Sequence, residues 1–105
     1  MDSQTLSGSA FRANVSVSAE HLKLLAGTPK RYVKTAESGN RRAQGFCANC
    51  GSPIYAADEH KPEIYFLRVG TLNQRAQLPP KRQIWCSAEL PWAADIRGLD
   101  RCERA

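Results

Sequence analysis

Two closely spaced cysteines, Cys47 and Cys50, constrain this chain more than any other feature of its sequence. They lie in the stretch GFCANCGSPIY, and Gly51, Ser52 and Pro53 follow directly. These three residue types favour a tight turn and disfavour a continuing helix. In such a turn both sulfurs can face one metal ion while backbone N–H groups donate hydrogen bonds to them. The spacing therefore predicts a strand–turn–strand unit with the cysteines at its tip.

Three chemistries are compatible with this cysteine pair. A structural zinc site takes four nitrogen or sulfur ligands, so Cys47 and Cys50 would supply half of one. A thioredoxin-like redox pair is the second alternative, but that motif normally sits at the start of a helix. Two ordinary reduced thiols are the third. The turn chemistry after Cys50 favours the metal half-site.

The remaining candidate ligands are Cys86, Cys102, His21 and His60. Sixteen positions separate the two cysteines, a spacing that is typical of no ligand pair. We expect each of them to be either a small buried side chain or an isolated surface thiol. Neither histidine has a partner at ligand spacing, and both are expected at the surface.

Composition excludes several classes of protein. Of the 105 residues, 42% are hydrophobic and 24% charged, which is typical of one globular domain with a modest core. No apolar run approaches the roughly 20 residues of a membrane helix, and the polar N-terminus lacks a secretory signal pattern. We therefore expect a cytoplasmic protein whose thiols stay reduced. The net charge is +5, but interspersed acidic residues and the lack of a stacking or recognition-helix pattern disfavour nucleic-acid binding.

Alternating apolar and polar residues predict a mainly antiparallel β fold with minor helix. The expected strands cover residues 10–17, 28–36, 41–47, 53–57, 64–72 and 83–88. A polar hairpin turn is expected at 37–40, and a helical turn at 90–96. A short helix is expected over 19–27, with Leu22, Leu24 and Leu25 facing inward.

The segment IYFLRVGTL (64–72) is the most strand-like of these. We expect it to form a central strand with Ile64, Phe66 and Val69 buried and a bulge or turn near Gly70. We also expect the indoles of Trp85 and Trp92 to pack at the base of the small core.

Several segments together resemble the glutathione-dependent formaldehyde-activating family, also called the CENP-V/GFA domain. They are FCANCGSPIY (46–55), LRVGTLN (67–73) and QIWCSAELPWAADIRGLDRCER (83–104), and SGSAFRANVSV (7–17) is similar as well. The order of CGSPI, VGTL and IW…LPW makes the resemblance specific, and it covers nearly the whole chain. It implies a β-tent fold of antiparallel strands with one or two short helices, in a single domain over residues 1–105.

The resemblance also implies two zinc sites. The family's structural site combines a CxC in an N-terminal strand with the later CxxC, so Cys47 and Cys50 would be structural ligands. The catalytic site uses a CxCxxC just before a stretch like QTLSGSAF, which places Ser3 at the position of its last cysteine. A serine hydroxyl is a poor zinc ligand at neutral pH. We therefore expect a domain that lacks the usual N-terminal cysteine-rich strand and holds only a partial zinc site.

The activity implied by the resemblance is that of a zinc-dependent carbon–sulfur lyase, which joins formaldehyde to glutathione or acts on related thiol adducts. Metal coordination would deprotonate a thiol and polarise a carbonyl. Candidates for holding glutathione's carboxylates are Arg12, Arg42, Arg68 and Lys81. Because the catalytic zinc motif is missing, we expect this activity to be impaired. The alternative is a non-catalytic zinc-binding or interaction module that completes a four-thiolate site across a homodimer.

Overall fold

The computed structural model describes residues 2–84 and 86–104. They divide into two compact units, one formed by residues 13–81 and the other by the residues before and after that range. Within the described residues, no helix is both long enough and apolar enough to cross a membrane.

The unit of residues 13–81 is built on a five-stranded antiparallel sheet. Its strands are β1 (Asn14–Ser18), β2 (Lys30–Thr35), β3 (Arg41–Phe46), β4 (Pro53–Asp58) and β5 (Ile64–Arg68). The strand order is β1-β5-β4-β3-β2, so β2 to β5 form a meander and β1 pairs with β5. The mainly β, antiparallel fold expected from the sequence is confirmed.

The hairpin between β2 and β3 closes where the sequence predicted it. The Ala36 N–H donates to the Asn40 carbonyl at 2.8 Å, and the Gly39 N–H donates to the Ala36 carbonyl at 2.9 Å. Gly39 has a φ of 90°, a conformation that side-chain-bearing residues rarely adopt. The glycine in the turn thus lets the chain reverse within a few residues.

The strand predicted over 10–17 is also present, but it starts later. β1 begins at Asn14, and its side chains alternate, with Val15 and Val17 half-buried and the polar residues between them exposed. Alternation over β1 therefore identified the strand correctly, while its start lies four residues beyond the predicted one.

The core of the sheet unit consists of small side chains. Ala43 and Ala57, paired across β3 and β4, are each 1% exposed, and Ala56 and Val69 are also buried. Among the described residues, no large side chain is fully buried. This core can support only a modest hydrophobic contribution to folding, because burial free energy scales with apolar area.

The prediction for β5 is partly wrong. Val69 is buried as expected, and residues 69–71 form the expected turn as a 3₁₀ helix, but Ile64 is 47% and Phe66 36% exposed. The better covered apolar side chains of this strand are Tyr65 and Leu67, which alternate with them and so lie on the other face of the sheet. The sequence pattern identified the strand but assigned the wrong face to the core.

The helix predicted over 19–27 is reduced to a 3₁₀ helix at Ala19–His21. Leu24 and Leu25 are 57% and 85% exposed, so the inward-facing leucine cluster is wrong. Short helices depend on burying an apolar face for their stability, and these leucines bury little area.

The second unit contains a helix that the sequence did not predict, α1 (Asp2–Ser7). The Gln4 side-chain amide donates to the Ala88 carbonyl at 3.0 Å, which links α1 to the 3₁₀ helix Cys86–Ala88. The predicted helical turn at 90–96 is confirmed, because the Ala93 N–H donates to the Leu90 carbonyl at 2.9 Å.

Two predictions for this unit are wrong. Residues 83 and 84 have no regular structure and 86–88 are helical, so no strand covers the described part of 83–88. The backbone there bonds locally instead, with the Glu89 N–H donating to the Cys86 carbonyl at 3.1 Å. Trp92 lies in a surface turn and is 63% exposed, so it does not pack a core. Trp85 lies outside the described residues.

Candidate metal centre

The two central cysteines lie in the tight turn that joins β3 to β4. The Cys47 N–H donates to the Ser52 carbonyl at 2.9 Å, and the Gly51 N–H donates to the Cys47 carbonyl at 2.8 Å. Gly51 has a φ of 79°, which the turn requires and which glycine adopts without strain. The predicted strand–turn–strand unit with the cysteines at its tip is therefore confirmed.

The turn brings the two thiols together at its surface. Cys47 is half-buried and Cys50 is exposed, and both are free thiols. The Ser52 hydroxyl lies 3.2 Å from the Cys50 sulfur. The turn therefore carries two free thiols, of which that of Cys50 is exposed.

The surroundings of Cys50 favour its ionised form. The hydrogen bond with the Ser52 side chain lowers the pKa of the Cys50 thiol most, and the Ser52 backbone N–H and the Cys47 side chain act in the same direction. The thiolate is the form that binds a metal. Sequence reasoning treated Ser52 only as a turn residue and missed this contact, although a serine two positions after a cysteine in a tight turn is well placed for one.

The described residues do not complete a metal site around the turn. Within the described ranges, 2–84 and 86–104, no group of three or more Cys, His, Asp or Glu side chains could hold a metal ion. Structural zinc needs four ligands, so two thiolates are an incomplete donor set. Cys86 and Cys102 are both exposed and belong to the other unit, which agrees with the expectation of isolated surface thiols.

Both histidines lie at the surface, as predicted. The His21 side chain is 72% exposed and lies 3.8 Å from Glu20. The His60 side chain is 83% exposed and lies 3.3 Å from Glu59. Each histidine lies beside the carboxylate of the preceding residue in the sequence. Among the described residues, neither histidine forms a group of metal ligands with the cysteine pair.

Two of the four proposed carboxylate-binding residues have structural partners within the sheet. Arg68 is buried and donates to the side-chain oxygens of Asn14 and Gln44, the latter at 2.7 Å. Arg42 forms an ion pair with Asp58 at 3.3 Å. Arg42 therefore connects β3 to its neighbour β4, and Arg68 connects β5 to its neighbour β1 and, across β4, to β3.

The other candidates from the sequence are Ser3, Arg12 and Lys81. Ser3 lies in α1, where its carbonyl accepts a hydrogen bond from the Ser7 hydroxyl at 2.6 Å. Its assignment to the position of a family zinc cysteine stays a prediction. Arg12 is half-buried, and Lys81 is exposed at the end of the sheet unit.

These features define a small β protein with an antiparallel sheet and a paired-cysteine turn between adjacent strands. The family model described as "Glutathione-dependent formaldehyde-activating enzyme" matches residues 1–88, well over half of the chain, so this protein belongs to that family. The match covers Ser3 and both cysteines of the turn. No curated protein and no solved structure matched the chain.

Proposed function

We propose that this chain is a zinc-binding domain of the formaldehyde-activating family whose Cys47–Cys50 turn supplies half of a structural site, and that its carbon–sulfur lyase activity is impaired. The observation that carries the proposal is the pairing of two accessible thiols in a rigid turn within the family-matched region. A cytoplasmic location, predicted from composition, is part of the same proposal.

The reaction class follows from the family's name. In joining formaldehyde to glutathione, the thiol sulfur forms a bond to the carbonyl carbon, the carbonyl π electrons move to oxygen, and the thiol proton ends on that oxygen. No electrons are lost or gained overall. A catalytic zinc would need about three protein ligands and an open position. Among the described residues, no more than two such ligands lie together, which supports the proposed impairment of the lyase activity.

A second candidate function is a non-catalytic module that shares a zinc site across a homodimer. The exposure of Cys50 at the tip of the β3–β4 turn favours it, because a second copy can approach the pair from outside. Two copies would bring four thiolates together, which is the closed donor set of structural zinc. Such a site would hold metal without leaving a position open for substrate.

Zinc content and molecular mass in solution test both candidates. Reduced protein is purified with zinc, and the metal per chain is measured by elemental analysis alongside light scattering. A shared site predicts about one zinc per two chains in a dimeric species. The paired substitutions Cys47→Ser and Cys50→Ser should remove the zinc, whereas the matched control, Cys86→Ser with Cys102→Ser, should leave it unchanged. Zinc retained without Cys47 and Cys50 would overturn the assignment.

An assay of glutathione-dependent formaldehyde consumption tests the impairment separately. We expect the 105-residue chain to consume formaldehyde no faster than the variant without Cys47 and Cys50. Substantial turnover by the chain alone, lost on removal of the two cysteines, would show that the impairment is wrong.

A further inference from the structure

A cavity of about 230 Å³ opens on one face of the sheet. Its walls include Arg31 of β2, Ala43 of β3, Tyr55 and Ala57 of β4, and Tyr65 of β5. None of the lining residues is a cysteine. Further lining residues lie at the C-terminal end of β4, at Asp58, and in the loop that follows it. The thiol turn lies before the N-terminal end of the same strand.

The aromatic wall of the cavity is held by a close approach between two strands. Gly45 pairs with both Arg31 and Tyr55 across the sheet. A Cβ atom at Gly45 would overlap the Tyr55 ring, so the missing side chain is what lets the ring lie over β3. Tyr55 also meets Tyr65 edge to face, with ring centroids 5.0 Å apart and an interplanar angle of 75°. The two rings therefore form a preorganised surface for an apolar group.

Arg31 in the cavity wall is able to bind an anionic ligand. The wall carboxylates have arginine partners, since Glu59 pairs with Arg41 and Asp58 pairs with Arg42. Arg31 instead donates to the backbone carbonyl of Glu59 at 2.9 Å, and among the described residues no carboxylate lies within ion-pair distance of it. A guanidinium carries five N–H donors, so most of those on Arg31 are available.

The positive charge of Arg31 affects two ionisable side chains of the cavity wall, Tyr55 and Glu59. Burial raises the pKa of the Tyr55 hydroxyl, and the positive charge of Arg31 opposes that shift. Arg31 also contributes to lowering the pKa of Glu59, after the larger effect of the hydrogen bond from Arg41. An anion placed between Arg31 and the tyrosine rings would therefore meet a positive potential.

We propose that this cavity binds a small monocarboxylate with an apolar or aromatic body. The carboxylate contacts the Arg31 guanidinium, which can donate two parallel hydrogen bonds, and the body lies against Tyr55 and Tyr65. The volume is below the roughly 300–1,000 Å³ of pockets that hold drug-sized ligands, which restricts the ligand to a small one. A phosphate ion is disfavoured because it has no apolar body to lie against the two tyrosine rings. The site is independent of zinc and of the proposed function.

Calorimetric titration with benzoate tests the ligand class on the unmodified chain. Benzamide has the same ring without the charge, and inorganic phosphate has the charge without the ring. We expect saturable binding of benzoate and at least about tenfold weaker binding of the other two, because benzamide loses the charge-assisted contact and phosphate loses the contact with the rings. Absence of saturable benzoate binding would overturn the proposal. Equal binding of benzamide, or tighter binding of phosphate, would overturn the assigned ligand chemistry.

Arg31→Gln, with Lys30→Gln as its matched control, tests the assigned residue. Both substitutions remove one positive charge from β2, but successive side chains of a strand point to opposite faces, so only Arg31 lines the cavity. We expect Arg31→Gln to weaken benzoate binding about tenfold or more and Lys30→Gln to change it less than about twofold. Equal weakening by both would show a general charge effect and overturn the site. Thermal unfolding of each variant checks the fold, and the comparison of ligands on the unmodified chain stands without either variant.

Discussion

Gly45→Ala should destabilise the sheet, although a glycine-to-alanine change in a strand normally does the opposite. Where the backbone is compatible, this substitution stabilises a protein by about 0.4–1 kcal/mol through the unfolded state. The backbone of Gly45 is compatible, because Gly45 is not among the glycines with positive φ. The new Cβ atom would nevertheless overlap three atoms of the Tyr55 ring, so the ring must move.

The expected cost follows from what that movement disrupts. Forcing an extra carbon into a packed contact costs about 1–3 kcal/mol. Loss of the edge-to-face contact between Tyr55 and Tyr65 adds about 0.5–1.5 kcal/mol. After subtraction of the unfolded-state gain, we expect a net loss of about 1–3 kcal/mol. In urea unfolding followed by circular dichroism, the midpoint should fall by about 1 M for a slope near 1–2 kcal/mol per M.

Two further variants make this prediction refutable. Gly70→Ala is the control, because a Cβ atom there would meet nothing within 4 Å, and its effect should be within about 0.5 kcal/mol. In a Tyr55→Ala background the ring is gone, so Gly45→Ala should lose most of its cost. A neutral or stabilising Gly45→Ala, or a cost that persists without the Tyr55 ring, would refute the packing that shapes the cavity wall.

Two other predictions concern the same sheet. Phe66→Ala should cost about 1–3 kcal/mol in the same urea assay, less than the roughly 3–5 kcal/mol of a fully buried ring. The reason is that Phe66 is 36% exposed, although the Arg42 guanidinium lies over its ring at 5.4 Å from the centroid. A cost under about 0.5 kcal/mol would be that of an ordinary surface site. The hydrogen bond from Arg41 lowers the pKa of Glu59 in the folded state, so Glu59 should contribute stability above the unfolded Glu pKa of about 4.3 and lose it as the pH falls through the lowered folded value. The stability difference between the wild type and Glu59→Gln should therefore shrink in acid. A Glu59→Gln difference that does not vary with pH would contradict the ion pair.

The parts of the fold that depend on local chemistry could be predicted from the sequence. Alternation identified β1, and the glycine-containing turns at Gly39 and Gly51 marked two of the three hairpins of the meander. These signals act over a few residues, so neighbouring segments cannot easily override them. The turn at Cys47 and Cys50 belongs to this class, which is why the spacing alone placed both thiols correctly.

The parts that depend on distant packing could not be predicted in the same way. The apolar residues Leu24 and Leu25 suggested a buried helix face, but no partner surface covers most of their area. In β5, both faces carry apolar residues, so alternation could not decide whether Phe66 or Leu67 faces the better covered side. A pattern gives the period of an element, whereas burial depends on what packs against each face.

The cavity shows the same limit at the level of a site. No sequence pattern singled out Arg31. Its position beside the tyrosines depends on the register of β2 on β3 and of β3 on β4, which pairs Arg31 with Gly45 and Gly45 with Tyr55. A register across three strands is a tertiary property, and no local motif encodes it.

The order already present in the thiol turn indicates what limits metal binding. In zinc fingers the metal supplies the free energy of folding, because the ligands are disordered without it. Here the backbone hydrogen bonds from Cys47 and Gly51, together with the β3–β4 ladder, close the turn that carries both cysteines. For the proposed zinc site, we expect the number of ligands to limit the affinity, because two thiolates fill only half of a tetrahedral zinc shell. Two more thiolates from a second copy should therefore raise the zinc affinity more than further stiffening of the turn, because they would complete the four-thiolate donor set.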